Sequence, residues 1–225
     1  DLIHSLSGPP MKKLTTLLAL LSALMVSACG GGGNSGPAVI VAYGDSLTND
    51  AGQWVTPSEL WVEKLKAQIQ ADGLNEKREI TVINAGLGGE DSEAALQRLP
   101  GILANYKPTH ILLMHGTNDI PPFCPGCPDA ITRPNLEAMA ALAKDAGADV
   151  IMGEFTLKSF GSEMAQNYTN AIVQAAANTK SGYVNLSAGI PYDDTYYQFD
   201  GVHFTDAAQE LIKNNAAAAL FPALR

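Results

Sequence analysis

The chain has 225 residues, a formal net charge of −9 and 46% hydrophobic residues. That length bounds it to one ordinary domain or two very small ones, and the apolar content is enough for a packed core. No basic stripe occurs beyond the first residues, which argues against nucleic acid as a partner; the acidic balance favours solubility and carries no information about fold.

Asp1 to Pro10 (residues 1–10) fit no part of an export signal and are set aside as upstream sequence. Met11-Lys12-Lys13 then leads into an apolar run from Leu14 to Val26, shorter than the roughly 20 residues a membrane span needs. A basic start followed by such a run reads as a signal peptide over residues 11–28. Val26-Ser27-Ala28-Cys29 is similar to a bacterial lipoprotein cleavage box. In such a box the cysteine is lipidated, which would make this an exported, membrane-anchored chain facing the periplasm or cell surface. An ordinary signal cleaved after a small residue is the alternative. Residues 29–37 then form a glycine-rich tether, about 15 Å long on average as a flexible coil, and 38–225 form the globular domain.

From Pro37 onward, apolar β-branched runs alternate with amphipathic segments. Strands are predicted at Ala38–Tyr43, Ile80–Asn84, His110–His115, Asp149–Gly153 and Gly182–Asn185. Pro57 sits near a helix start, and Trp61, Leu65 and Ile69 recur at a spacing that puts them on one buried face. Asn135–Asp145 and Glu163–Ala177 are alanine-rich helices, and Thr205 is placed as the N-cap of a last helix running to about Leu220. This alternation predicts an α/β fold, a three-layer α/β/α sandwich around a five-stranded parallel sheet.

In such a sheet, ligands bind outside the carboxyl ends of the strands. Ser46, in Gly44-Asp45-Ser46-Leu47, stands at the end of the first strand. Read alone, it either caps the following turn or presents an exposed hydroxyl as a nucleophile. A serine hydroxyl needs a base, and His203 is the histidine with a carboxylate, Asp200, three residues away on the same loop. That pair can take the serine proton and hold the imidazole in place. His110 and His115 lie in or beside a strand and read as packing or supporting residues, as do Asp45 and Asp119. Acids and histidines show no metal-ligand spacing, and no cofactor is called for. Cys124 and Cys127 sit in Pro122-Phe123-Cys124-Pro125-Gly126-Cys127-Pro128. A zinc half-site lacks partner ligands and a redox pair would open a helix, so a small disulfide closing the loop is the preferred reading.

Four blocks in order carry a family resemblance: Gly44-Asp45-Ser46-Leu47; Asn84-Ala85-Gly86-Leu87-Gly88-Gly89-Glu90; Gly116-Thr117-Asn118-Asp119; and Asp200-Gly201-Val202-His203. Together they resemble the SGNH (GDSL) hydrolases, over roughly Pro37 to the C-terminus. The second block with Leu99-Pro100-Gly101-Ile102-Leu103 is most similar to the bacterial arylesterase, thioesterase and lysophospholipase branch. The resemblance implies strand order 2-1-3-4-5 and hydrolysis of a small-molecule ester through an acyl-enzyme. It implies Ser46, Asp200 and His203 as the triad, and the backbone N–H groups of Ser46 and Gly89 with the Asn118 amide as the oxyanion hole. Gly116-Thr117 departs from the Gly-Gly or Gly-Ala usual in that branch, and the loop from Pro121 to Pro128 is unlike its usual insert. Two other readings remain. Tyr192, Tyr196, Tyr197 and Phe199 could stack on a sugar, as in a carbohydrate O-acetylesterase, and the fold could serve as a non-catalytic surface binding lipoprotein.

Overall fold

A computed structural model describes residues 36–49, 53–119, 124 and 126–224. Residues 1–10, the expected signal at 11–28, Cys29 and most of the expected tether lie outside the described residues.

Five strands form the sheet: β1 (Ala38–Gly44), β2 (Ile80–Asn84), β3 (His110–Met114), β4 (Asp149–Glu154) and β5 (Gly182–Asn185). All neighbours pair in parallel, in the order β2-β1-β3-β4-β5. The central strands are covered on both faces and so are apolar almost throughout: β1 buries six of its seven residues, and β3 is wholly buried. β2 and β5, at the edges, expose Thr81, Gly182 and Tyr183.

Strand periodicity sorts the core into two layers. On one face, Ile40, Ala42, Leu112 and Met114 meet α1 (Trp61–Ala71) through Trp61, Leu65 and Ile69, and the last helix through Ile212, Ala216 and Leu220. A short helix, α2 (Leu74–Lys77), follows α1. On the other face, Val41, Tyr43, Ile111 and Leu113 meet three helices. These are α3 (Ser92–Tyr106), α4 (Arg133–Asp145) and α5 (Ser162–Thr179). The last helix is α6 (Asp206–Leu224). Among the described residues, no helix is long and apolar enough to cross a membrane.

The three-layer architecture and the strand order agree with the expectation, and the strand bounds agree within a residue. Two details differ. Spacing alone does not single out the helix α3. It carries Pro100 inside it, where the missing N–H removes one helical hydrogen bond. Its start is secured instead by Asp91, whose carboxylate accepts the N–H of Ala94 at 2.8 Å. Thr205 does precede α6, but its hydroxyl donates to the Thr195 carbonyl at 2.6 Å. The N–H of Ala208 is taken by the Thr205 carbonyl.

Candidate active site

The carboxyl ends of β1, β2 and β3 converge on one edge of the sheet, and a turn leaves each of them. The turn after β1 is tight because Asp45 organises it from inside. The Asp45 carboxylate accepts the N–H of Leu47 at 2.9 Å, and its carbonyl accepts the N–H groups of Thr48 and Asn49. The turn is pinned from outside as well. The Trp61 indole donates to the Leu47 carbonyl at 3.2 Å, and the Asn84 amide to the Thr48 carbonyl at 3.0 Å. Asp45 is fully buried. Burial pushes its carboxyl above the ordinary value, and the charge of His115 and the Leu47 N–H offset this in part.

Ser46 projects from that turn, and its Oγ lies 2.9 Å from His203 Nε2. His203 Nδ1 lies 2.7 Å from Asp200 Oδ2. The other Asp200 oxygen accepts the backbone N–H groups of Val202 at 2.8 Å and His203 at 3.0 Å. Burial works against the Asp200 carboxylate, but these hydrogen bonds and the nearby imidazole hold its carboxyl below the ordinary value. The loop is closed by the Tyr197–Phe204 bridge and by the N–H of Gln198 donating to the His203 carbonyl at 2.8 Å. Serine, imidazole and carboxylate, 157 residues apart at the extremes, thus form one hydrogen-bonded line.

Gly89 lies in the turn after β2 with φ +74°, and an added Cβ would meet nothing within 4 Å. Backbone conformation, rather than space, calls for glycine there. Asn118 lies in a single 3₁₀ turn, Thr117–Asp119, after β3. Its amide donates to the Glu90 carbonyl at 3.0 Å and to Asp45 at 3.3 Å, tying together the residues next to Gly89 and Ser46. Gly116 is confined by both terms: φ is +123°, and a Cβ would lie 2.3 Å from the Thr132 methyl. Asp119 braces the same region. One of its oxygens accepts the N–H of Ser92 and the other the hydroxyl of Thr132, each at 2.7 Å.

Sequence reasoning passed over several residues here. The indole of Trp54 stacks on the imidazole of His203 and meets Phe199 edge-on, with centroids 5.6 Å apart. Phe199 is 89% exposed. Behind the β2 turn, the buried Glu90 carboxylate takes hydrogen bonds from Arg98 Nε at 2.6 Å and from His115 Nε2 at 2.9 Å. Of the four aromatic residues considered as a sugar platform, Tyr197 is buried. It packs on Phe204 and donates to the Thr156 carbonyl at 2.9 Å. Tyr192 stacks on Tyr197, and Tyr196 packs against the core. Phe199 is the one that meets Trp54.

Cys124 and Cys127 are joined by a disulfide, with Cα atoms 5.4 Å apart. The bridge leads into a π-helical turn, Pro128–Thr132. Among the described residues, no group of three His, Cys, Asp or Glu side chains could hold a metal ion.

The chain matches the model of the GDSL-like lipase/acylhydrolase family over residues 42–211. It is 28% identical to esterase TesA of Pseudomonas aeruginosa over 187 residues, 82% of this chain and 89% of that protein. It is 30% identical to an arylesterase of Vibrio mimicus over 136 residues, 60% of this chain and 63% of the relative. A crystal structure of TesA superposes with a TM-score of 0.72 at 28% identity, over 82% of this chain and 99% of that one. With a match spanning most of its length, the chain belongs to the GDSL-like lipase/acylhydrolase family and is a carboxylic ester hydrolase.

Proposed function

We propose that ester hydrolysis runs through an acyl-enzyme on Ser46. Its Oγ attacks the ester carbonyl carbon while His203 Nε2 takes the hydroxyl proton, and Asp200 holds the Nδ1–H and stabilises the imidazolium. The oxyanion is met by the N–H groups of Ser46 and Gly89 and by the Asn118 amide. Of the Asn118 hydrogen bonds, the one to Asp45, at 3.3 Å, is the longer. That hydrogen is the one that would turn to the oxyanion. Collapse expels the alcohol, protonated by His203, and leaves Ser46 acylated. Water, deprotonated by His203, then attacks the acyl carbon, and the acid leaves as Ser46 recovers its proton. The observation that carries this reading is the unbroken Ser46–His203–Asp200 line, 2.9 and 2.7 Å.

The substrate class we propose is supported by what borders that line. His203 Nε2 protonates the departing alcohol, and Trp54 lies flat on the same ring with Phe199 beside it. An aromatic wall at the leaving-group side favours esters of aromatic alcohols with short to medium acyl chains. The Vibrio mimicus relative's description as an arylesterase agrees with this. The test is hydrolysis of p-nitrophenyl acetate, butyrate and octanoate, beside ethyl acetate and acetylated xylan, by the wild type and Ser46→Ala. Ser46→Ala is expected to lose on the order of 10⁶ in rate and remain folded. Activity within tenfold of wild type would overturn the assignment. Preference for acetylated xylan would replace the aryl-ester reading with that of a carbohydrate O-acetylesterase.

We further propose that Cys29 carries lipid and tethers the enzyme to a membrane. The support is the basic start, the apolar run and the Ser27-Ala28-Cys29 order. One acyl chain binds only marginally, whereas more than one anchors stably. Fractionation of cells producing wild type or Cys29→Ser tests it: wild type should follow the membranes, and wholly soluble wild type would refute it.

A further inference from the structure

One buried charged cluster reaches the outgoing ends of the three strands whose turns carry the proposed oxyanion donors. Glu90 is 6% exposed. Its Oε1 accepts from Arg98 Nε at 2.6 Å, and its Oε2 accepts from Arg98 Nη2 and from His115 Nε2 at 2.9 Å. A carboxylate withdrawn from water is costly unless paired and hydrogen-bonded, and here a planar guanidinium grips both oxygens in a fixed geometry. Arg98 does more than neutralise. Its Nη2 also donates to the Ala85 carbonyl at 3.0 Å, and its guanidinium lies 4.4 Å over the Tyr43 ring. The Tyr43 hydroxyl donates back to α3 at the Ala95 carbonyl, 2.6 Å away.

Tyr43 is in β1 three residues before Ser46, Ala85 follows β2, and His115 follows β3. The cluster therefore ties together the outgoing ends of three adjacent strands, whose turns carry Ser46, Gly89 and Asn118. Glu90 holds the third turn by two routes. Its carboxylate takes His115, three residues before Asn118, and its backbone carbonyl takes the Asn118 amide at 3.0 Å.

We infer that Glu90 is a positioning residue for the oxyanion hole. Its carboxylate, fixed by Arg98 and His115, sets the backbone at residues 89–90, so that the Gly89 N–H and the Asn118 amide face the same point. The benefit is preorganisation: donors held in place before the reaction need not reorganise as charge develops. Glu90 touches no reacting atom and acts through Asn118 and Gly89. The inference rests on the oxyanion-hole assignment proposed above.

The experiment is a double-mutant cycle. kcat and KM for p-nitrophenyl acetate are measured for wild type, Glu90→Gln, Asn118→Ala and the double variant, with a thermal melt of each. Asn118→Ala is expected to lower kcat about 10²–10³-fold. Glu90→Gln should lower kcat about 10–100-fold with KM within about threefold, because it loosens groups that act on developing charge. On the Asn118→Ala background, the cost of Glu90→Gln should shrink at least about fivefold, since residues acting as a unit are not additive. A brace for the fold alone would instead give additive losses. Additivity, or an unchanged kcat in Glu90→Gln, overturns the inference. Full activity in Asn118→Ala removes the oxyanion assignment itself, and the inference with it. Should Glu90→Gln fail to fold, Arg98→Lys enters the same cycle. It keeps the charge and loses the fork, and the same coupling with Asn118→Ala decides the matter.

Discussion

The indole of Trp54 lies against the imidazole of His203, with ring centroids 5.1 Å apart and planes 19° from parallel. On the proposed mechanism, this sets an apolar ring beside the imidazole that protonates the departing alcohol. An aromatic pair contributes about 1 kcal/mol beyond its buried area. Trp54→Leu is therefore expected to raise KM for phenyl acetate about fivefold, while ethyl acetate changes by less than about twofold. Steady-state kinetics on the two acetates checks this. Equal losses on both would mean that the indole only steadies His203.

The 2.7 Å contact between His203 Nδ1 and Asp200 leads to a second expectation. An amide in place of the carboxylate can present N–H to a nitrogen that must itself keep a proton. Asp200→Asn should lower kcat on the order of 10³–10⁴-fold with the fold intact. Kinetics with a circular-dichroism melt decides it, and a loss under tenfold would count against Asp200 as the partner of His203.

Acid stability should report on Glu90. Burial alone would raise its carboxyl, but hydrogen bonds from His115 and Arg98, with their charges, hold it below the ordinary value of 4.5. A group depressed on folding contributes stability above its unfolded value, and that contribution is lost as pH falls through the folded one. Asp200 has the same sign; Asp45, raised by burial, has the opposite sign. The Tm difference between wild type and Glu90→Gln is thus expected to be full above pH 4.5 and to close as pH falls further. A difference constant from pH 7 to pH 3 would contradict it.

The Cys124–Cys127 bridge closes a four-residue loop. Loop-closure entropy for so short a loop is worth about 2 kcal/mol, or about 4–8 °C in Tm for a domain of this size. Cys124→Ser with Cys127→Ser should show that drop. Non-reducing mass spectrometry of the wild type should find no alkylatable thiol at either position.

What could be read from the sequence depended on how local its cause was. β1 was legible because Val39-Ile40-Val41-Ala42 is β-branched, apolar and bounded by glycine. The strand order was not; it came with the four blocks, since nothing in spacing alone says that β2 and β3 flank β1. Ser46, Asp200 and His203 were named from those same blocks and a carboxylate three residues from a histidine. Trp54 escaped because its partner is His203, far along the chain and adjacent only after folding. Arg98 escaped for the same reason: its guanidinium acquires meaning once α3 lies beside the β2 turn. The helix α3 itself carries Pro100 in its interior, so local preference there runs against the structure. Thr205 does stand just before α6, and its hydroxyl turns to the Thr195 carbonyl of another turn, a partner that adjacency in sequence does not reveal.

The chain runs into β1 at Ala38, on the edge of the sheet opposite Ser46. The strand between them has seven residues, roughly 23 Å at about 3.3 Å per residue. Any attachment made through the residues before Ala38 therefore grips the molecule at the end remote from its cleft. Coupling to a bead through a tag placed directly before Ala38 should leave substrate access unobstructed. Coupling through the loop carrying Phe199, beside the His203 ring, should occlude it.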